Sequence, residues 1–561
     1  MANFKETVNK MLGVDPSKPD EMQAKEVLSY SIAGFGQNII CQLVTTFFMF
    51  YLTQVVVTED SSIMYLAYMF LFARLFDAFN DPIMGTIVDI TKSKYGKMRP
   101  YLKYSPIPIA IFTVLLFTSI PGISESGKLA YSTVIYLCWG IAYTSVDVPY
   151  WGLASSMTSD TDKRNTMLTV ARLFCTIGSG LVSVVIPIIT GTFNENTTRE
   201  TMQIAYLIIA IVSVLLAVPP FFIGFKNTKE RFYDDENKTS LGHNVKLLFK
   251  NYPILLMIAI GVVGSLRTIY MTTALYYAQV NLGNTALASI MFLLVVPGGL
   301  AATLMTPYLS KKFGKRNVFL VSHLIGGVLL VLLYFIGLPS DGTSIAAQIA
   351  FYIIIILAGI PSGFSNIMTY SMIGDSIDYL EDKTGERAEG ICFSMQTFIS
   401  KIGMALTAFV TLLVLGASGY AVVASGASIV DANGNVIPEI ANTLATVKKN
   451  IWMVTTLACG LSMAACAIPL FFYNFTEKKQ ADAVARVAAR KAGLTVAPNA
   501  TKEEVEAMMA DANPVEVALE KAEENDIVTA IAEDEKAVEV ALDAKADSVE
   551  ETKEDSNESK D

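Results

Sequence analysis

The stretch RLFDAFNDPIMGTIVDITKSKYGKMRPY, residues 74–101, begins inside an apolar segment and ends in a basic cluster. Arg74, Asp77 and Asp81 are spaced by three and four residues, so all three project from one face of a helix. Charged side chains at bilayer depth are expensive and usually face a protein interior or a water-filled path. This face therefore predicts an ion site, with the rest of the chain arranged to open it to one side of a membrane at a time.

The composition is typical of a multi-pass membrane protein. Of the 561 residues, 52% are hydrophobic and 17% are charged, against about 25% charged residues in ordinary soluble domains. Apolar runs of about 20 residues, the length that crosses a bilayer, recur between Ser29 and Phe472. We count about twelve such spans. Residues 1–25 are polar, so we expect the first span to be the first topogenic signal. The predicted location is the cell (plasma) membrane.

Several classes of chemistry are not indicated. The six cysteines lie in apolar segments at unrelated spacings, which predicts buried free thiols rather than disulfides or metal ligands. The sequence has no Walker A loop, no GxSxG and no Cys/His cluster. We therefore expect neither an enzyme, nor a cofactor, nor a nucleic-acid partner.

Charge along the chain predicts orientation and domains. Loops after even-numbered spans are rich in Lys and Arg, so the positive-inside rule places them and both termini in the cytoplasm, with Lys448 and Lys449 in weak opposition. The net charge of the whole chain is −10, whereas residues 501–561 alone carry −15. The other 500 residues therefore carry +5. The predicted parts are an N-terminus (1–28), a six-helix bundle (29–226), a central loop (227–250), a second bundle (251–475) and an acidic tail (476–561), favoured to be largely disordered and with no indicated partner.

A weak internal repeat supports two halves. YGKMRPYL (95–102) resembles FGKRNVFL (313–320), and SMTSD (156–160) resembles SMIGD (371–375) at nearly the same offset. Two halves of six spans around a cytoplasmic loop are the plan of the major facilitator fold. The predicted fold is therefore an all-α membrane protein of this type.

The acidic pair on the second span is suited to a cation. Carboxylates at i and i+4, about 6 Å apart, repel by roughly 3 kcal/mol at an effective dielectric near 20. Arg74 offsets one charge but hardly two, so Asp77 and Asp81 are poised to take up a proton or a metal ion. Asn80 and Thr144 can add neutral oxygens, which suits Na⁺ without excluding H⁺. The alternative is a structural Arg–Asp lock between helices.

A second face predicts a sugar site. Thr144, Asp147 and Trp151 share one side of the fourth span, where a carboxylate can accept hydroxyl hydrogen bonds and an indole can pack on a sugar's apolar face. Arg172 on the fifth span either donates to the same ligand or neutralises Asp147. The alternative is a buried Asp–Arg pair with a packing tryptophan.

Other charged residues have open roles. Arg267 and Lys401, in the second half, either bind substrate or balance the acids opposite. A further set lies near the predicted cytoplasmic ends and either forms ion pairs that lock an inner gate or is solvated loop charge. That set is Lys97, Arg99, Asp160, Asp375, Asp378 and Arg387.

Four motifs resemble one transporter family. DAFNDPIMG (77–85), GKMRPY (96–101), YTSVDVPYW (143–151) and the DSIDY…QTFISK run (375–401) are similar to those of the glycoside–pentoside–hexuronide:cation symporters, over all spans but not the tail. The resemblance implies a cation site and a neighbouring sugar site. The residues it implies are Asp77, Asn80, Asp81 and Thr144 for the cation, Asp147, Trp151 and Arg172 for the sugar, and Thr397 and Lys401 near both.

One position departs from the family's pattern. Members that carry melibiose have a Lys–Asp pair on the first helix, where this chain has Gln37 and Asn38. Both can still hydrogen-bond hydroxyls, but neither is charged, which argues against a melibiose-like specificity. The expected function is a symporter that imports a sugar, glycoside, pentoside or hexuronide with Na⁺ or H⁺ by alternating access. The alternatives are a lipid-like or anionic solute, bound through Arg172 and Arg267, or a membrane sensor.

Overall fold

The computed structural model describes residue 14 and residues 21–158, 160–193, 197–231, 241–336, 345–425 and 436–512. These residues form helices, and no β-strand occurs among them. The predicted spans correspond to α1 (Ala24–Val56), α2 (Asp60–Ile90), α3 (Pro106–Leu116), α4 (Glu125–Met157), α5 (Thr161–Thr190), α6 (Arg199–Asn227), α7 (Tyr252–Val263 with Ser265–Val280), α8 (Leu287–Phe313), α9 (Lys315–Ile336), α10 (Ile345–Thr384), α11 (Glu389–Ala417) and α12 (Pro438–Phe472).

The count of spans is close to the prediction. Ten described helices are long and apolar enough to cross a membrane, and α7 adds an eleventh although it bends by 53° at a break. The remaining predicted span is the shorter apolar helix α3, which follows the helix Arg99–Tyr104. The chain is therefore a multi-pass α-helical protein.

The helix α10 extends beyond its apolar part. The apolar run ends near Ile373, whereas α10 continues as one helix to Thr384. No glycine or proline lies between Asp375 and Thr384, and Gly385 then stops the helix with a φ of +75°. The acidic segment after Ile373 is therefore mostly helix rather than loop.

The packing of the helices repeats between the halves. In the first half α1 packs on α5 and α6, and in the second half α7 packs on α11 and α12. Between the halves α2 packs on α11, and α5 packs on α8. A shift of six helices turns one of these cross-half pairs into the other, so the two halves are related as the short sequence repeats suggest.

Glycines on α1 allow its close packing against neighbouring helices. A Cβ added to Gly36 would collide with the backbone oxygen of Ala217 on α6, and one added to Gly34 would collide with Tyr150 on α4. Small residues of this kind let the backbones of membrane helices approach each other.

The second helix separates an apolar face from a polar one. Phe72 and Phe79 are 64% and 72% exposed, whereas Asp77 is 7% exposed. Large exposed apolar side chains suit contact with lipid, and the carboxylate on the other side faces protein. The aspartates therefore point inward, as the spacing in the sequence predicts.

The start of the central loop is fastened to the first half. The Glu230 carboxylate accepts hydrogen bonds from the backbone N–H groups of Lys97 at 2.8 Å, Met98 at 2.9 Å and Arg99 at 2.7 Å. Arg231 pairs with Glu26 at 3.0 Å. The loop between α2 and α3 thus depends on a carboxylate supplied from beyond α6.

We expect Glu230→Ala to lower the free energy of unfolding by about 1–3 kcal/mol, because three backbone donors lose a charged acceptor. Thermal unfolding of the purified protein in detergent measures this. Lys229→Ala, at the exposed neighbouring position, is the control and should unfold like the unmodified protein. Equal stability of the two variants would show that the carboxylate does not hold this loop.

Among the described residues, 378–387 and 477–512 belong to a second compact unit. The sequence favoured disorder for the tail, but within it the helices Glu477–Lys491 and Lys502–Ala512 are described, with Ala489, Ala500 and Val505 in their core. These helices occupy only the first part of the tail, and the prediction that the tail is largely disordered stays a prediction. The acidic residues from 513 to 561 lie outside the described residues.

Candidate functional site

The first carboxylate of the predicted ion site is buried between α2 and α4. Asp77 lies 3.5 Å from the Arg74 guanidinium, and both side chains are about 10% exposed. Charge-assisted hydrogen bonds are usually shorter, about 2.7–2.9 Å, so this pair is loose. Arg74 also lies over the Tyr136 ring, with its Cζ 5.8 Å from the centroid. The spacing-based prediction that Arg74 offsets Asp77 agrees with this geometry.

The second carboxylate is linked to the other half of the protein. The Lys401 ammonium on α11 donates to Asp81 Oδ2, and it also donates to the backbone oxygen of Asp77 at 3.3 Å. Asp81 Oδ1 and Asn80 Nδ2 are buried without a hydrogen-bond partner among the described residues. Because the two ends of an amide exchange by a simple flip, Asn80 can present its oxygen at that buried position.

The predicted sugar site is assembled around Asp147. Gln37 Nε2 on α1 donates to Asp147 Oδ1, and Trp151 Nε1 donates to the same oxygen at 3.2 Å. Gln37 Oε1 is buried without a partner among the described residues. A carboxylate accepts only, so the Gln37 nitrogen must face Asp147 and its oxygen is left to accept from another donor.

Arg172 stacks between two aromatic rings rather than pairing with Asp147. Its Cζ lies 5.3 Å from the Trp151 ring centroid and 4.9 Å from that of Tyr370 on α10. The side chain of Arg172 is exposed. A guanidinium that lies over aromatic faces still has N–H donors at its edge, where a ligand can accept from them. The alternative of a buried Asp–Arg pair is therefore not what the structure shows.

Of the remaining predicted site residues, two lie one helical turn from residues of the site, and two make hydrogen bonds within their own helices. Thr144, one turn from Gly140 on α4, is 2% exposed, and Thr397 lies one turn before Lys401 on α11. Asn38 donates to the backbone oxygen of Gly34 at 3.1 Å, within its own helix. Arg267 donates to the Gly264 oxygen at 3.0 Å, at the break in α7.

The contacts described below for the residues predicted to form a gate are made within one half or one unit of the chain. Asp375 pairs with Lys315 at 2.7 Å, which joins α9 to α10, and Arg99 donates to the Phe225 oxygen at 2.7 Å. Asp160 lies 3.9 Å from Lys163. Within the second unit Arg387 pairs with Asp378 at 3.3 Å. Lys97 contributes its backbone N–H to Glu230. A role for these charges in locking the two halves stays a prediction.

Some site residues have no signal in the sequence. Gly140 on α4 leaves room for Asp77, since a Cβ there would lie 2.6 Å from Asp77 Oδ1. Tyr370 comes to Arg172 from the other half of the chain. A glycine or tyrosine inside a transmembrane span is ordinary, so neither stands out before the helices are packed.

If the predicted cation site between Asp77 and Asp81 is occupied, Gly140→Ala is expected to weaken its apparent affinity for the cation by about tenfold, because overpacking against Asp77 costs about 1–3 kcal/mol. Alanine favours helix over glycine, so folding is preserved. The measurement is the cation concentration that half-maximally stimulates solute uptake. Gly180→Ala on α5, where a Cβ meets no atom within 4 Å, is the matched control. An unchanged half-maximal concentration for Gly140→Ala would contradict the crowding argument.

The sequence of most of the chain matches one family. A sequence model described as "MFS/sugar transport protein" covers residues 29–477. The chain belongs to this family. It is therefore a multi-pass transporter of the plasma membrane and not an enzyme.

Similar proteins agree with the family assignment. The isoprimeverose transporter of Lactiplantibacillus pentosus is 32% identical over 454 residues, which cover 80% of this chain and 88% of that protein. The glucuronide carrier protein homolog of Escherichia coli strain K12 is 27% identical over 474 residues, covering 84% of this chain and 97% of that protein.

Solved structures show the fold. A bacterial homologue of the human lysosomal transporter Spinster, inward-facing and unoccupied, aligns with a TM-score of 0.58 at 11% identity, covering 81% of this chain and 98% of that chain. The inward-open xylose transporter XylE from E. coli gives 0.52 at 11% identity, covering 86% and 98%. The predicted major facilitator fold is confirmed.

Proposed function

We propose that this family member imports a sugar or glycoside together with a cation, Na⁺ or H⁺. The observation that carries the proposal is the position of Lys401. Its ammonium on α11 donates to Asp81 Oδ2 and to the backbone oxygen of Asp77, both in the candidate cation site on α2. A charge of the second half thus enters the candidate cation site of the first half, so occupation of that site can alter the contact between the halves.

The coupling follows from competition for carboxylates. A cation that binds between Asp77 and Asp81 would favour release of the Lys401 ammonium, because two positive charges on the same carboxylate repel each other. The described residues include no group of three or more His, Cys, Asp or Glu side chains that could hold a metal ion. The coordination of Na⁺ by Asp77 and Asp81 would therefore be completed by the neutral oxygens of Asn80 and Thr144. A proton would instead neutralise one acid. By linkage, an ion that changes solute affinity must have its own affinity changed equally by the solute.

The solute would be held by complementary hydrogen bonds. Gln37 and Trp151 occupy Asp147 Oδ1, so Oδ2 and the free Gln37 oxygen are placed to accept from hydroxyl groups. The Trp151 ring supplies an apolar face for the ring of a sugar. The displaced Lys401 ammonium would then be free to interact with the bound solute or with Asp147.

An anionic glycoside is the second candidate, and Arg172 is the specific observation in its favour. This guanidinium is exposed and stacked on two rings, which suits bidentate binding of a carboxylate or sulfonate. The relatives include the glucuronide carrier homolog and a putative sulfoquinovose importer of E. coli at 25% identity. The relatives reported above are transporters, so nothing among them favours the sensor alternative.

Counterflow and uptake in proteoliposomes test the proposal. Inward gradients of Na⁺, Li⁺ or H⁺ are imposed in turn over a panel of neutral glycosides, pentosides and uronides. We expect one ion to drive accumulation of one solute class above its equilibrium level. Accumulation of uronides alone would select the second candidate, and uptake that ignores all three gradients would refute cation coupling.

A further inference from the structure

Three uncharged side chains form a closed ring of hydrogen bonds where α1 and α7 finish and where the short helix Tyr420–Ala424 follows α11. Gln54 Nε2 donates to Tyr420 Oη at 2.6 Å. Tyr420 Oη donates to Gln279 Oε1 at 2.8 Å. Gln279 Nε2 donates to Gln54 Oε1 at 2.7 Å. Each group donates once and accepts once, so the direction of every bond is determined by the others.

The ring joins the two halves of the transporter. Gln54 belongs to the first half, whereas Gln279 and Tyr420 belong to the second. Gln54 is 5% exposed and Tyr420 is fully buried. The same end is also closed by a Thr53–Tyr276 hydrogen bond of 3.1 Å between the hydroxyls. Water is therefore kept from Gln54 and Tyr420 while the halves remain together, whereas Gln279 is half-buried.

Two further bonds mark this end as a contact between halves. The backbone N–H of Ala421 donates to Asp60 Oδ1 at 2.9 Å, and the hydroxyls of Thr190 and Thr285 lie 3.2 Å apart. Loop charge predicts that this end faces the outside. We call it the closed end, defined by residues 50–60, 276–290 and 415–425.

We propose that Gln54, Gln279 and Tyr420 form a latch that holds the closed end shut in one state of the transport cycle. The inference rests on the proposed function only in requiring that the halves separate at this end during alternating access. Separation breaks the two bonds made by Gln54 and leaves the Tyr420–Gln279 bond inside the second half. All the released groups then meet water, so the ring can open without stranding a polar atom.

The position of Gln54 supports a moving role. It lies in a π-helical turn, Leu52–Val56, at the end of α1. Such turns interrupt the regular helix and are frequent at functional sites. The ring contains no ionised group, so a coupling cation has no charged partner there to bind.

Single substitutions should destabilise only the closed arrangement. Tyr420→Phe leaves the buried Gln54 donor without a partner and removes the hydroxyl from the half-buried Gln279 acceptor, whereas in the open state both groups are hydrated. An unmade buried hydrogen bond shifts an equilibrium by about five- to a hundredfold. A triple change of Gln54→Leu, Gln279→Leu and Tyr420→Phe removes every polar member, and apolar replacement of all partners can be nearly neutral.

Hydrogen–deuterium exchange of the whole protein in nanodiscs, without solute or ion gradient, tests the latch. In Tyr420→Phe and Gln54→Leu we expect amides of residues 50–57 and 418–424 to exchange about five- to a hundredfold faster. The triple variant should lie closer to the unmodified protein than either single variant. Tyr131→Phe is the matched control, because its hydroxyl donates to the Leu115 oxygen at 3.0 Å within the first half.

The outcomes separate the latch from general damage. Unchanged exchange in both single variants, or a triple variant that exchanges faster than either, would overturn the proposal. Thermal unfolding identifies any variant that merely misfolds, and the triple variant then decides the question. Because no transport is measured, the uptake panel can fail while the latch is supported, and the reverse can also occur.

Discussion

Asp77→Asn is expected to abolish the accumulation of solute against its gradient, so that the ratio of inside to outside concentration falls to one. The substitution keeps the shape of the side chain but removes the charge that a cation or proton would neutralise. Asp77 is buried and only loosely paired with Arg74, so its charge is available to a coupling ion. Ion-driven uptake of radiolabelled solute into proteoliposomes measures the ratio.

Exchange of labelled for unlabelled solute should continue in Asp77→Asn, because it needs no net movement of the cation. Glu59→Gln is the matched control. This change removes an acidic charge from an exposed position just before α2, and uphill uptake should be unaffected. Normal uphill transport by Asp77→Asn would instead favour the structural Arg–Asp lock.

Asp147→Asn is expected to reduce both uphill uptake and exchange by about a hundredfold, because hydrogen bonds to a charged group contribute about 1.5–3 kcal/mol each. Asparagine keeps one acceptor oxygen but replaces the other with donors, which face the hydroxyls of a bound sugar. The measurement is equilibrium binding of the solute identified by the uptake panel, together with exchange. Loss of both activities distinguishes this residue from Asp77.

Trp151→Phe provides a graded comparison for Asp147→Asn. Phenylalanine keeps an aromatic face but lacks the Nε1 donor that holds Asp147 Oδ1, so we expect a loss of about tenfold. If Asp147→Asn binds the solute as tightly as the unmodified protein does, the carboxylate is not a solute ligand.

Local spacing was sufficient to predict which acids face inward. Arg74, Asp77 and Asp81 lie on one helix, where i, i+3 and i+4 relations determine a shared face. Asp147 and Trp151 are also one turn apart, and the structure joins them by a hydrogen bond. Single apolar spans can also be recognised locally, because the thickness of a bilayer sets their length.

Long-range pairing could not be predicted from spacing. Lys401 and Asp81 are 320 residues apart, and only the family resemblance placed them near each other. The ring of Gln54, Gln279 and Tyr420 went unnoticed, because its bonds cross up to 366 positions in the sequence. The packing of helices determines such contacts. The sequence around a single glutamine in an apolar span does not indicate which residue it will hydrogen-bond.

The basic face of the tail helix Glu477–Lys491 has a consequence for α10. Arg486 binds Asp382 at 2.7 Å and Lys491 binds Glu381 at 2.7 Å, within the last turns of that helix. Carboxylates at a helix carboxyl terminus oppose the macrodipole. A protein truncated after Phe472 would lose both cations, and the final turn before Gly385 would then fray, most at low ionic strength where screening is weakest.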